Sequence, residues 1–130
     1  MSESFEMTTL LPAPPEAVFS AWLDGNQVAV FTGGAAEGDA LPGSIFTAWD
    51  GYISGTNLEL EPPCRILQAW RTTEFPEASP DSRVEILLEP AADGTTLRLL
   101  HSNIPDGQGD DYREGWEEYY FSPLKKYFAQ

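Results

Sequence analysis

Hydrophobic and polar positions alternate at the start of the chain. Phe5, Met7, Thr9 and Leu11 fall on one side, Glu6 and Thr8 on the other, which predicts a strand over residues 4–11. Pro12, Pro14 and Pro15 end it. Pro15 suits the first turn of a helix, where a missing N–H costs nothing, and Glu16 complements the helix dipole. Val18, Trp22 and either Phe19 or Ala21 share a face, so residues 15–24 read as a short amphipathic helix. Gly25 is the expected stop, and Asn26 the expected cap of a second short helix through Phe31. Residues 33–43, rich in Gly, Ala and acids, read as a mobile loop.

From Ser44 the period returns to two. Ile45, Thr47 and Trp49 alternate with Phe46 and Ala48, and Asp50-Gly51 signals a two-residue hairpin turn. Residues 52–60 return, with Gly55 as the expected bulge. Glu61-Pro62-Pro63 turns the chain into a strand over 65–73. Residues 75–81 are loop. Val84, Ile86 and Leu88 then point inward, against Arg83, Glu85 and Glu89. Asp93-Gly94 predicts a second hairpin, and residues 95–103 the last strand. After a break at 105–109, Trp116, Tyr119, Tyr120, Pro123, Leu124 and Tyr127 form one stripe of a long helix over 110–128. Asp110, Asp111 and Glu114 near its start and Lys125 and Lys126 near its end match its macrodipole. Pro123 predicts a bend or break near Ser122. Short turns between strands imply antiparallel pairing, and a sheet with one apolar face needs the long helix as its cover. The expected fold is α+β: about six curved antiparallel strands wrapped on a C-terminal helix, as a single domain over 1–130.

Composition narrows the function. The 130 residues include four Trp, five Tyr and seven Phe. Seven basic residues against 21 acidic ones leave a formal charge of −14, which disfavours nucleic acid and anionic membrane surfaces and favours solubility or a basic protein partner. No apolar run approaches the roughly 20 residues that span a bilayer, and no basic, then apolar leader opens the chain. A cytoplasmic location is expected. One Cys and one His supply neither an internal disulfide nor a usual zinc site, so no metal or cofactor is expected.

Candidate chemistry is sparse. His101 shares strand parity with Leu97 and Leu99 and either transfers protons in a pocket or is a hydrogen-bonded histidine at a sheet end. Cys64 stands in a negative field that works against a thiolate. Arg71, after Trp70, either orients a ligand or partner carboxylate or pairs with an acid of the same chain. Trp49, Trp116 and Tyr120 either line a cavity or fill the core. Any Ser–His–Asp set would have to use this same lone histidine, and no carboxylate pair stands at a catalytic spacing, so binding is expected rather than catalysis.

Several stretches, in order along the chain, carry a resemblance. Trp49-Asp50-Gly51-Tyr52-Ile53-Ser54-Gly55, then Leu60-Glu61-Pro62-Pro63, then Ile66 through Trp70-Arg71 resemble the activator of heat-shock protein 90 ATPase (Aha-type) family. Ile104-Pro105 and Gly115-Trp116-Glu117-Glu118-Tyr119-Tyr120-Phe121 continue it in order, and Pro14-Pro15-Glu16-Ala17-Val18-Phe19-Ser20-Ala21-Trp22 is similar to the start of that family's domain. The resemblance implies a START-like (SRPBCC) helix-grip fold. It corresponds to the domain that contacts the chaperone's N-terminal region; no Asn-Asn-Trp-His-Trp-type motif occurs here. It implies a stress-related, non-enzymatic role with a chaperone as partner. The wider superfamily implies the alternative, a small apolar ligand in the cavity under the helix, with Trp49, Trp70, Arg71, His101, Trp116 and Tyr120 as the candidate lining.

Overall fold

The computed structural model describes residues 2–129. Strand β1 (Ser2–Leu11) leads into helices α1 (Pro15–Leu23) and α2 (Gly25–Thr32). Five strands come next: β2 (Ile45–Ala48), β3 (Ile53–Glu61), β4 (Arg65–Thr72), β5 (Ser82–Ala91) and β6 (Gly94–Pro105). The chain ends in a rod of α3 (Gly109–Trp116), a π-helical turn (Glu117–Phe121) and α4 (Ser122–Phe128). The sheet order is β1-β6-β5-β4-β3-β2, every pair antiparallel. Strands β2 to β6 are therefore a meander, and β1 closes on β6 at the far end. The six strands and the covering helix match the expected α+β helix-grip architecture.

The period-two pattern decides which face is wet. Val84, Ile86 and Leu88 of β5 and Leu97, Leu99 and His101 of β6 are essentially inaccessible, and Leu11 closes the same layer from β1. Phe121 and Leu124 seat the helix on that layer.

Local chemistry departs from expectation in several places. The connection between β2 and β3 is the four residues Trp49 to Tyr52, not a two-residue turn at Asp50-Gly51: Ala48 pairs with Ile53, and Trp49, Asp50 and Gly51 all take positive φ. Ala91 pairs with Gly94, so the second hairpin turns on Ala92-Asp93. Gly94 starts β6 at φ 149°, where a Cβ would strike the Leu11 carbonyl. The β3 bulge lies between Asn57 and Glu59, not at Gly55. Gly55 is needed for close approach instead, because a Cβ there would meet the Ala69 carbonyl and the Phe46 ring. Gly25 does not stop a helix; it is the first residue of α2, and Asp24, not Asn26, is the cap, accepting from the Asn26 N–H at 3.0 Å.

The stretch expected to be a mobile loop is pinned. Glu37 and Thr47 exchange backbone hydrogen bonds, Gly25 N–H donates to Gly38, and Asp50 N–H donates to Ala35. A buried polar chain ties the same loop to the core. Trp22 Nε1 donates to Gln68, Gln68 donates to Asn57 at 2.9 Å, and Asn57 donates to the Asp39 carbonyl. Asn57 and Gln68 are buried because each finds partners there.

The start of the terminal helix is capped from across the molecule. Gln108 at the N-cap position makes no side-chain capping bond. The Glu3 carboxylate of β1 accepts the Gly107 and Gly109 N–H groups instead, at 2.7 and 2.8 Å. Two otherwise orphaned donors and the positive end of the helix dipole meet one anion there. Glu3→Ala should therefore cost about 1–2 kcal/mol in urea unfolding. Glu6→Ala, which breaks an exposed ion pair with Arg98, should cost less than about 0.5 kcal/mol. Equal costs would show that the remote cap contributes nothing.

Candidate functional site

A cavity of about 450 Å³ opens between the terminal helix and the β2–β3 end of the sheet. Its inner wall is aromatic: Trp70 from β4, Tyr112 and Trp116 from α3, and Tyr120 from the π turn are all buried. Ile53 and Tyr52 form the sheet side, and Gly115 leaves room on the helix side. Trp49 and Tyr119 meet edge to face at 5.3 Å at the mouth, where Tyr119 and Asp111 are exposed and Trp49 is half-buried. Asp111 adds a carboxylate.

Chain chemistry explains this shape. Pro123 has no N–H, and its ring would crowd the Tyr119 carbonyl of a regular helix. The predicted bend near Ser122 appears as a π turn just before it, where Ser122 N–H reaches back five residues to Glu117. The widened turn lets adjacent Tyr119 and Tyr120 both face the cavity, which a regular 100° step would not favour. Tyr119, predicted to lie on the core stripe, is 48% exposed. Trp49 owes its position to a left-handed backbone, φ 53°, an uncommon state for a bulky residue. Docking of the Gly-rich loop holds it: Ala35 N–H donates to the Asp50 carboxylate at 3.0 Å, and Gly34 packs against the Trp49 ring.

A ring of hydrogen bonds holds the lining tyrosines Tyr52 and Tyr112 from behind. Glu74 N–H donates to Thr72 Oγ1, which lies 2.7 Å from the Tyr112 hydroxyl. Tyr112 donates to Gln108 Oε1, and Gln108 Nε2 donates to the Glu74 carbonyl. Tyr52 donates to the Glu74 carboxylate. Burial, then that carboxylate, pushes the Tyr52 phenol above its ordinary value, and burial does the same for Tyr112 and Tyr120. All three stay neutral at ordinary pH.

The six residues singled out in sequence divide. Trp49, Trp70, Trp116 and Tyr120 come together in the lining. Arg71 does not: it pairs with Asp81 at 2.8 Å, donates to the Ser79 and Pro76 carbonyls and lies over the Phe75 ring. His101 does not line this cavity either and is fully buried. Trp116 Nε1 donates to its Nδ1 at 3.1 Å, which leaves Nε2–H to donate to Ser82 Oγ at 2.9 Å, and Ser82 donates to the Trp70 carbonyl at 2.7 Å. Both ring nitrogens are used to hold aromatic elements together. The lining also includes residues that sequence reasoning misses: Tyr52, Ile53, Asp111, Tyr112, Gly115, and Tyr119 as a mouth residue. Tyr112 carries a signal, four residues before Trp116 on the same stripe. Tyr52 carries none, because it lies in the connection between β2 and β3, outside the alternating pattern of either strand.

Burial lowers the His101 pKa to about 3. The unfolded chain takes this proton near pH 6.5, so between the two values the unfolded state binds more protons, and stability falls as the pH falls. His101 is the chain's one histidine. Its NMR ring signal should stay put from about pH 8 to about pH 5, and the group should withdraw about 1.4 kcal/mol of stability as the pH drops from about 7.5 to about 5.5. A signal titrating near 6.5 would mean that the ring is not held as described.

Comparison with known proteins places the chain. A protein of unassigned function from Schizosaccharomyces pombe is 27% identical over 117 residues, covering 90% of this chain and 34% of that protein. The human activator of 90 kDa heat shock protein ATPase homolog 1 is 28% identical, covering 88% and 34%. The chain thus spans about a third of these relatives' length. Among solved structures, an HSP90 activator from Plasmodium falciparum superposes with a TM-score of 0.86 at 26% identity, over 97% of this chain and 96% of that one. CalU16 from Micromonospora echinospora gives 0.80 at 30% identity, over 98% and 76%. Residues 12–129 match one family as a whole, and by that match the chain belongs to the activator of Hsp90 ATPase homolog 1-like proteins.

Proposed function

We propose that this chain is a partner-binding domain that docks on an Hsp90-type chaperone and modulates its ATPase without performing chemistry of its own. The observation that carries this reading is the fit, over nearly the full length of both chains, to a solved protein described as an HSP90 activator. The charge of −14 supports a partner with a basic surface and an association weakened by salt. The one histidine supports a non-catalytic role: its two nitrogens are committed to Trp116 and Ser82.

With purified chaperone, the domain should co-elute at low salt and change the steady-state ATPase rate. Raising salt from about 50 to about 300 mM should weaken the complex at least severalfold. No co-elution and an unchanged rate at low salt would end this reading.

The cavity favours a second reading, a small ligand held beneath the helix. Native mass spectrometry of freshly purified protein should then show a retained mass that is lost on denaturation. Bare protein with no such mass would count against it.

A further inference from the structure

The electrostatic character of the cavity is more specific than its size. At about 450 Å³ it falls in the small-ligand range, on the order of 300–1,000 Å³. Three of its walls are tryptophans and four are tyrosines. Among the described residues no Lys or Arg lines it, and its one acidic lining residue is Asp111, at the exposed edge. Glu74, bonded to the Tyr52 hydroxyl, adds a second carboxylate just behind the wall. The nearby guanidinium groups are engaged elsewhere. Arg71 is held by Asp81 and two carbonyls, and Arg113 lies over the Phe5 ring.

We propose that the cavity's ligand is an organic cation with an apolar body, a substituted or quaternary ammonium, held by the tryptophan and tyrosine rings with Asp111 as its counter-charge. The proposal rests on the ligand reading above and narrows it. An aromatic face attracts a cation within about 6 Å of its centre, more strongly once water is excluded, and Trp is the best such face. An anion entering here would meet Asp111 with no lining cation to offset it. A neutral apolar ligand would gain the walls and nothing from the carboxylate. The field of a −14 chain further concentrates cations at the mouth.

The test is a titration followed by tryptophan fluorescence and by NMR at about 150 mM salt. Benzyltrimethylammonium, its neutral isostere neopentylbenzene, and phenylacetate are compared. The cation should bind at least about tenfold tighter than the neutral isostere, and phenylacetate should not bind measurably. Asp111→Asn should reduce that preference to about threefold or less. Asp110→Asn, which removes the same charge from an equally exposed neighbour that is not part of the lining, should leave the preference intact. If the neutral isostere binds as well as the cation, the ligand reading stands and the cation assignment falls. Equal losses in both variants would likewise overturn it, by assigning the preference to bulk charge. If none of the probes perturbs the lining residues, both readings of the cavity fall.

Discussion

The Trp116 indole is held on two sides and at its nitrogen. Trp22 of α1 stacks at 5.6 Å with an interplanar angle of 22°, and Trp70 of β4 lies at 5.4 Å. Its N–H donates to His101 of β6. One side chain of the terminal helix therefore joins the first helix and two strands that are not neighbours in the sheet. The polar part of this joint makes it specific. Apolar packing alone tolerates rotation and sliding, whereas an N–H in a dry core must find its one acceptor. The acceptor is fixed in turn, because His101 Nε2 is spent on Ser82 and Ser82 on the Trp70 carbonyl. The chain of bonds returns to the strand whose ring packs on Trp116. A neutral His101 is required at every link, which is why its burial matters beyond the area removed from water.

The cavity is a consequence of where this joint stops. Past it along the helix, Phe121 and Leu124 are buried against the sheet. Between them, Pro123 imposes the widened turn that carries Tyr119 and Tyr120 to one side. The β2–β3 connection holds Trp49 outward in a left-handed conformation. Neither side chain can collapse into the gap without releasing its own constraint, a proline-linked turn in one case and a docked loop in the other. The void is thus bounded by elements with separate reasons for standing apart, and need not be read as a packing defect.

The architecture is legible because it is written in periods. Alternation in β5 and β6 and the stripe from Trp116 to Tyr127 report which faces must be buried, and only a few arrangements bury them all. Pro15 at the first turn of α1 is equally plain. Chemistry between distant residues escapes such a reading. Nothing in the pattern of β1 shows that Glu3 accepts two N–H groups more than a hundred residues later. Nothing in Gly33 to Gly43 shows that Asn57 and Thr47 will hold that stretch down; its composition reads as mobile because composition does not report partners. The turn errors share a cause. Asp-Gly marks a reversal but does not count its residues.

The division among the site candidates has the same origin. Trp49, Trp70, Trp116 and Tyr120 stand out for size, and large rings reach a shared space from several elements. Arg71 and His101 stand out for their chemistry, and chemistry is what the fold uses first. A guanidinium near an Asp and two loop carbonyls is satisfied before any ligand arrives, and an imidazole placed between an indole N–H and a serine hydroxyl has no free nitrogen. In a domain with one histidine and seven Lys and Arg, a polar group is scarce, and its neighbours compete for it. The groups left over for a ligand are then the π faces and the Asp111 carboxylate. That remainder of uncommitted chemistry, rather than the roll of reactive side chains, describes what the cavity can hold.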